Sequence, residues 1–365
     1  MAQRDGGFED LVVTSVWAML ANQHPNGALV ASPDFGQYQY CWLRDGSFIA
    51  NALDRVGEHE SSSRFHSWCA TSIDQIAPLM EAAIERARAG KPVDPNQMPP
   101  ARFSIEGLVV NDDWPNFQID GYGTWLWSLN QHLERSGSRS LAAQLVPTVE
   151  RVSRYLAAIG TAACFDVWEE NGGSVHTATL GCVYAGLVAA SAMLSSETFR
   201  DRAEAVRADV LERARRLGRF EKSSDDNQVD AALLWLCEPF HLVDPLDPVF
   251  LETVGEVSRD LDLAGGIRRY PADTYFGGGA WPVLTASLGW YLASTGELDE
   301  ARRRREWIAA HFDDEGRLGE QFGGDQRDPA KYGEWVRRWG LPARDLIWSH
   351  AMFVVLCDEI RRFGQ

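Results

Sequence analysis

Apolar residues return every three to four positions along almost the whole chain, and this spacing predicts helices. We expect them at 8–23, 46–57, 64–88, 119–135, 139–158, 176–192, 197–217, 228–237, 248–260, 281–294, 298–311 and 344–361. Two kinds are visible. The 197–217 segment is charged, with a narrow apolar stripe of Val206, Val210, Leu211 and Leu217. The 281–294 segment is apolar on nearly every face and must be buried. Their alternation predicts two layers of helices, one inside the other.

Between the helices, loops 32–45, 107–120, 164–175, 262–280 and 312–343 are rich in aromatic and charged residues. Asp45, Asp120, Glu169, Arg269 and Glu320 mark them, with Asp226 as a sixth. Each interval is about the length of two helices and their connections. A special loop once per helix pair predicts an all-α (α/α)6 barrel, with residues 1–365 as one domain. Segments 91–102 and 239–248 carry no evident chemistry.

The bulk composition narrows the partners. A net charge of −17 speaks against nucleic acid and anionic membrane, and favours a neutral ligand. The N-terminal stretch MAQRDGGFEDL lacks the apolar core of a signal peptide, and no run reads as a membrane span. The six cysteines are scattered singly, as buried free thiols are, which predicts a reducing, cytoplasmic location. No Walker loop, HExxH, CxxC or GxSxG occurs, and the histidines show no metal-ligand spacing. Neither a cofactor nor a metal is expected. His176 and His350 read as structural.

The 14 Trp, 9 Tyr and 16 Phe change the picture, because many sit in loops beside Gly, Pro and Asp. YQYCWLRDGSFI (38–49) is the sharpest example. One reading is an edge strand with Asp45 capping the next helix. The other is a sugar site, in which rings stack on a pyranose and Arg44 and Asp45 bind its hydroxyls. In FDVWEENGGSVH, Glu169 and Glu170 follow Trp168; the pair is either a solvated surface or a desolvated acid held protonated near neutral pH. In RLGEQFGGD, Glu320 is either a turn cap or a second, ionised carboxylate. Two carboxylates from separate loops among rings are the equipment of glycoside hydrolysis. Arg269, Tyr270, Tyr275 and Trp281, and then Trp114 and Asp120, come from two further loops.

Six segments in order resemble glycoside hydrolase family 15, the glucoamylase family: YQYCWLRD, WPNFQIDGYG, DVWEENGG, RRYPADTYFGGGAW, GEQF and PARDLIWSHA. The resemblance covers about residues 30–360 and implies an (α/α)6 barrel. It makes Glu169 the general acid and Glu320 the general base of an inverting, exo-acting α-glucosidase that releases β-glucose. Inversion requires carboxyl groups ~6.5–9.5 Å apart, and Glu169 would set the alkaline limb of the rate profile and Glu320 the acid limb. Arg44, Asp45, Arg269 and the backbone near Trp168 match the grip on the terminal glucose. Tyr38, Trp114, Glu170 and Tyr275 match residues around the scissile bond, whereas Trp42, Tyr40 and Trp281 are expected at least to wall the pocket. Arg344, Asp345 and Trp348 are expected to support the 312–343 loop. The compact layout is most similar to the bacterial isomaltose glucohydrolases of the family, which implies short α-1,6 saccharides and a monomer or weak homo-oligomer. Hydrolysis of another α-linkage, as by a glucoamylase or trehalase, is the nearest alternative. A phosphorylase and a non-catalytic sugar-binding protein are the others. The 326–340 insertion, with Trp335 and Trp339, is expected either to close over the pocket or to pack on the rim.

Overall fold

The computed structural model describes residues 2–323 and 326–364. Gly324 and Asp325, the end of the RLGEQFGGD stretch, lie outside the described residues. The chain forms helices α1 (Ala2–Ala21), α2 (Leu43–Arg55), α3 (His59–Gln75), α4 (Ala77–Arg88), α5 (Asp120–Ser136), α6 (Arg139–Ile159) and α7 (Thr177–Leu194). It continues with α8 (Glu197–Leu217), α9 (Pro248–Asp260), α10 (Pro282–Ser294), α11 (Leu298–Ala309), α12 (Pro329–Trp339) and α13 (Ile347–Phe363). Two short antiparallel ladders pair β1 (Cys41–Trp42) with β2 (Arg102–Phe103) and β3 (Asp262–Leu263) with β4 (Gly266–Ile267).

Six elements close an inner ring: α2 packs on α5, α5 on α7, α7 on a 3-10 turn at Ala231–Leu236, that turn on α10, α10 on α13, and α13 on α2. Around it lie α1 against α13, α3 and α6 near α5, α8 on α7, α9 behind the 3-10 turn, and α11 on α10 and α13. This is the (α/α)6 barrel. Hydropathy sorts the layers. α7 and α10 carry no charged residue and are buried almost throughout, whereas α8 and α11 bury only a stripe. Where α5 crosses α7, a Cβ on Gly186 would stand 2.6 Å from the Cα of Gly123, so only glycine permits this approach.

Four local expectations need correction. The 228–237 helix is the six-residue 3-10 turn, capped by Asp230, whose side chain accepts the Ala232 N–H at 2.8 Å. The 64–88 helix starts earlier and breaks at Ile76, because Pro78 lacks an N–H for continued helix and favours a new first turn. The strand around Tyr38–Trp42 is only two residues long; α2 begins at Leu43, so Asp45 lies inside the first turn and caps nothing. The 326–340 insertion contains a helix, α12. Helix α7 is apolar and long enough by composition to span a membrane, but 78% of it is buried in the barrel, so it is a core helix.

All six cysteines are free thiols, five of them buried. Burial around His132 brings together residues distant in sequence. Asp54 accepts hydrogen bonds from His59 and His132, both at 2.8 Å, tying α2, α3 and α5 together away from the first turn of α2.

Candidate active site

The starts of all six inner elements meet around one cavity of about 550 Å³. Arg44 and Asp45 come from the first turn of α2, Trp168, Glu169 and Glu170 from the loop before α7, Trp281 from the N-cap of α10, and Glu320 and Trp348 from around the start of α13. Asp120, in the first turn of α5, and Asp230, at the 3-10 turn, reach it through hydrogen bonds. Helix starts carry partial positive charge, which favours this concentration of carboxylates.

Arg44 organises one wall. Its guanidinium donates to Gln118 and Asp120 at 3.0 Å each, approaches Asp45 at 3.3 Å and Glu169 at 3.9 Å, and lies over the Trp348 ring. Burial pushes the Asp45 carboxyl up to about 6 against the pull of Arg44. Arg269 organises the opposite wall. It grips Asp273 through two nitrogens, at 2.9 and 2.5 Å, and reaches Glu170 at 3.2 Å. The Tyr270 hydroxyl also donates to Glu170.

Between these walls stand two further carboxyls. Glu169 accepts the Trp42 indole N–H at 2.5 Å, and its backbone is left-handed, with φ of 68°. Burial pushes it up to about 7, partly offset by Arg44. Glu320 accepts the Tyr38 hydroxyl at 2.8 Å. That spends the only Tyr38 proton, so the Tyr275 hydroxyl, 2.8 Å away, donates to Tyr38. Burial raises Glu320 to about 8; the Tyr38 hydrogen bond and Arg269 pull it down, while Glu169 and Asp45 push it up. Charge on Glu169 thus disfavours charge on Glu320, and the protein alone does not rank Glu169 above Glu320 as the group that keeps its proton.

Aromatic rings enclose the rest. Tyr38, Trp42 and Trp114 meet edge to face at centroid separations of 5.7 to 6.5 Å, and Trp168 and Trp281 meet at a tilt, 5.7 Å apart. From α12, Trp335 packs on Tyr275 at 4.9 Å, and Arg338 and Trp339 complete the mouth opposite Asp112 and Asp113. The α12 insertion thus borders the cavity.

The two expected catalytic carboxyls, Glu169 and Glu320, and nine of the expected pocket residues (Tyr38, Trp42, Arg44, Asp45, Trp114, Trp168, Glu170, Arg269 and Tyr275) line this one cavity. Trp281 does too. Trp348, expected to be a support, is a wall residue, whereas Tyr40, Asp226, Arg344 and Asp345 are not in the lining. His176 and His350 are held by structural hydrogen bonds, to the Cys164 and Asn171 carbonyls and to Ser15 and Asp345. The lining offers no imidazole or thiol as a metal ligand.

Sequence reading missed the supports. Arg102, in a segment read as lacking chemistry, is fully buried between the rings of Tyr40 and Trp114, 4.3 and 4.4 Å from its guanidinium carbon, and pairs with Asp112. Asp273 and Gln118 lie inside quoted motifs, yet only their partners mark them. Lys222 and Asp230 come from the loop for which Asp226 was the expected marker. Charge between two carboxylates in space leaves no spacing signal in sequence.

Comparison with known proteins agrees with this geometry. The family model for Glycosyl hydrolases family 15 matches residues 6–320. The chain is 37% identical to the isomaltose glucohydrolase of Kribbella flavida, over 93% of this chain and 89% of that protein. It is 24% identical to trehalase 2 of Sulfolobus acidocaldarius, over 81% of this chain and 56% of that one. Among solved structures, a wild-type glycosidase superposes with a TM-score of 0.94 at 34% identity, covering 99% of both chains. A bacterial glucoamylase complexed with acarbose has the same fold, with a TM-score of 0.76 at 18% identity, over 97% of this chain and 55% of that one. The match along the sequence and the near-complete superposition establish that this chain belongs to glycosyl hydrolase family 15 and is a glycoside hydrolase.

Proposed function

We propose that the chain is an exo-acting, inverting α-glucosidase that releases β-glucose from the non-reducing end of short α-glucosides, with isomaltose-type α-1,6 substrates favoured. The observation that carries this is the pairing of Glu169 and Glu320: two carboxyls from separate loops, the first half-buried and the second buried, each with its own donor, in one aromatic cavity. The terminal glucose binds at the helix starts. Arg44 and Asp45 take its hydroxyls on one side and Arg269 on the other, against Trp168 and Trp42. Trp114, Glu170, Tyr275 and Tyr38 surround the scissile bond.

Glu169 gives its proton to the glycosidic oxygen as the bond to the anomeric carbon breaks. Glu320 takes a proton from the water that attacks the opposite face. Catalysis needs one proton on the pair, and substrate decides where it sits. A glycosidic oxygen accepts only from neutral Glu169, and a water donating to Glu320 favours its charged form. Burial is what keeps a proton on the pair near neutral pH.

The α-1,6 preference draws support from the relative named isomaltose glucohydrolase and from the restriction of the mouth by α12. The relative named trehalase supports a second reading, an α,α-1,1 linkage. Within the proposal, residues 1–365 act as one catalytic domain, as a monomer or weak homo-oligomer. The free thiols support a cytoplasmic location.

Proton NMR of the anomeric region tests the proposal, with isomaltose, maltose and trehalose in parallel. The expected result is β-glucose first, and fastest from isomaltose. α-Glucose first would overturn the acid and base roles. Turnover only when phosphate is added would replace hydrolysis by phosphorolysis, and no turnover with any of them would leave a sugar-binding protein.

A further inference from the structure

Asp166 is the hub of the turn that carries Glu169. Its Oδ1 accepts the backbone N–H of Trp168 and of Glu170, both at 2.9 Å. Its own N–H donates to the Glu170 carbonyl and its carbonyl accepts from the Glu169 N–H, again at 2.9 Å. The closed turn holds Glu169 at φ 68° and Asn171 at φ 53°. Left-handed backbone is costly for residues with a side chain, so this turn persists only while its surroundings enforce it. A single oxygen accepting two N–H groups does so best as part of a carboxylate.

Burial works against that charge: desolvation raises the Asp166 carboxyl, Lys222 opposes the rise, and Glu170 and His176 also face it. The Lys222 ammonium stands 3.6 Å from Asp166 Oδ2 and 3.1 Å from Asp230 Oδ2, and the residue is only 4% exposed. Asp230 in turn accepts the Trp168 indole N–H at 2.9 Å. The same ammonium lies 3.3 Å from the centre of the Tyr270 ring, whose hydroxyl donates to Glu170. One buried cation, contributed by a different loop, thus touches the supports of Trp168, Glu169 and Glu170 together. An ammonium is costly to bury, and Lys222 lies outside the cavity lining.

We propose that Lys222 is a positioning residue for Glu169: its ammonium bridges the Asp166 and Asp230 carboxyls, and these hold the 166–170 turn in the strained form that presents the Glu169 carboxyl to the cavity. The proposal rests on the reading of Glu169 as general acid.

The test compares two leaving groups. One substrate is the best disaccharide from the NMR assay, whose leaving oxygen needs a proton. The other is α-glucosyl fluoride. There the C–F bond breaks with both electrons going to fluoride, water supplies the new C–O bond, Glu320 takes the water proton, and Glu169 is not needed. Lys222→Met should lower kcat on the disaccharide by about 10²-fold and lower the fluoride rate at least about tenfold less, since Trp168 and Glu170 share the same supports, with partial recovery in Lys222→Arg. Equal loss on both substrates, or no loss on either, would overturn the role of Lys222. Glu169→Gln runs alongside; if it loses fluoride hydrolysis as fully as disaccharide hydrolysis, the general-acid reading falls and the proposal with it. Should Lys222→Met not fold, Lys222→Gln carries the same prediction.

Discussion

The loops bearing Glu169 and Glu320 hold the same side chain at the same cavity by different means. The Glu320 segment is held by backbone. Its N–H donates to the Ala343 carbonyl at 2.9 Å, and Phe322 and Ala280 exchange two bonds at 2.8 and 3.0 Å. Ser349 adds a bond to the Gly319 carbonyl at 2.9 Å. The Glu169 turn has two backbone bonds within itself, but side chains tie it to the barrel: Asp166, Asp230 and Lys222. Backbone pairing tolerates many side chains and any pH. A turn held by carboxylates keeps its shape only while they are ionised. The position of Glu320 is therefore a property of the fold, and that of Glu169 a property of a charge network. The donors differ as well: an indole N–H and an arginine for Glu169, a tyrosine pair for Glu320.

Removing either carboxyl is the largest perturbation. Glu169→Gln and Glu320→Gln should each lower kcat on the disaccharide by about 10³-fold, with glucose binding retained in a calorimetric titration. Only Glu169→Gln should spare α-glucosyl fluoride. A variant keeping a tenth of wild-type disaccharide turnover would remove its residue from the chemistry.

The donors come next. Tyr38→Phe removes a hydrogen bond to ionised Glu320 and should cost about 10–100-fold in kcat/KM. That bond lowers the Glu320 pKa, so its loss should move the acid limb of the pH profile to higher pH. Trp42→Phe removes the donor to Glu169 and should instead move the alkaline limb upward, since that bond too lowers a pKa. Opposite assignment of the limbs would reverse the roles of the two loops.

At the mouth, Trp339→Ala should raise KM for the disaccharide about 3–10-fold with little change in kcat, because one ring of packing is lost away from the reacting atoms. An unchanged KM would leave α12 as a rim element.

The smallest effect concerns stability. Burial raises Glu320 to about 8 from the ordinary carboxylate range, so the native state binds its proton more tightly than the unfolded chain. Its contribution to stability is complete below the unfolded pKa and is lost as pH rises through about 8. Glu320→Gln should therefore raise Tm by about 1–3 °C at pH 8.5 and change it little at pH 5. Equal shifts at both pH values would mean that burial of charge at Glu320 is not what strains the site.

What the sequence by itself determined is what local chemistry can carry. Helix-period hydropathy marked most of the helices, and the apolar 281–294 segment announced an inner element because nothing on it can face water. The motifs put two carboxyls and their rings in the right loops, since each loop is contiguous in the chain. Tertiary structure alone decided the rest. The 228–237 segment has helical hydropathy, but its place in the ring is filled by one 3-10 turn held at Asp230. Helix α12 does carry a helical stripe, Tyr332, Trp335, Val336 and Trp339, but it packs half-buried on Phe276 at the cavity rim, and only the folded chain supplies that surface. Lys222, Arg102 and Asp230 look like ordinary polar residues until the ring closes and buries them among partners far along the chain. Hydrophobic period is a property of neighbours in sequence. Desolvation, and the ion pairing it demands, exists only once the chain has closed around the charge.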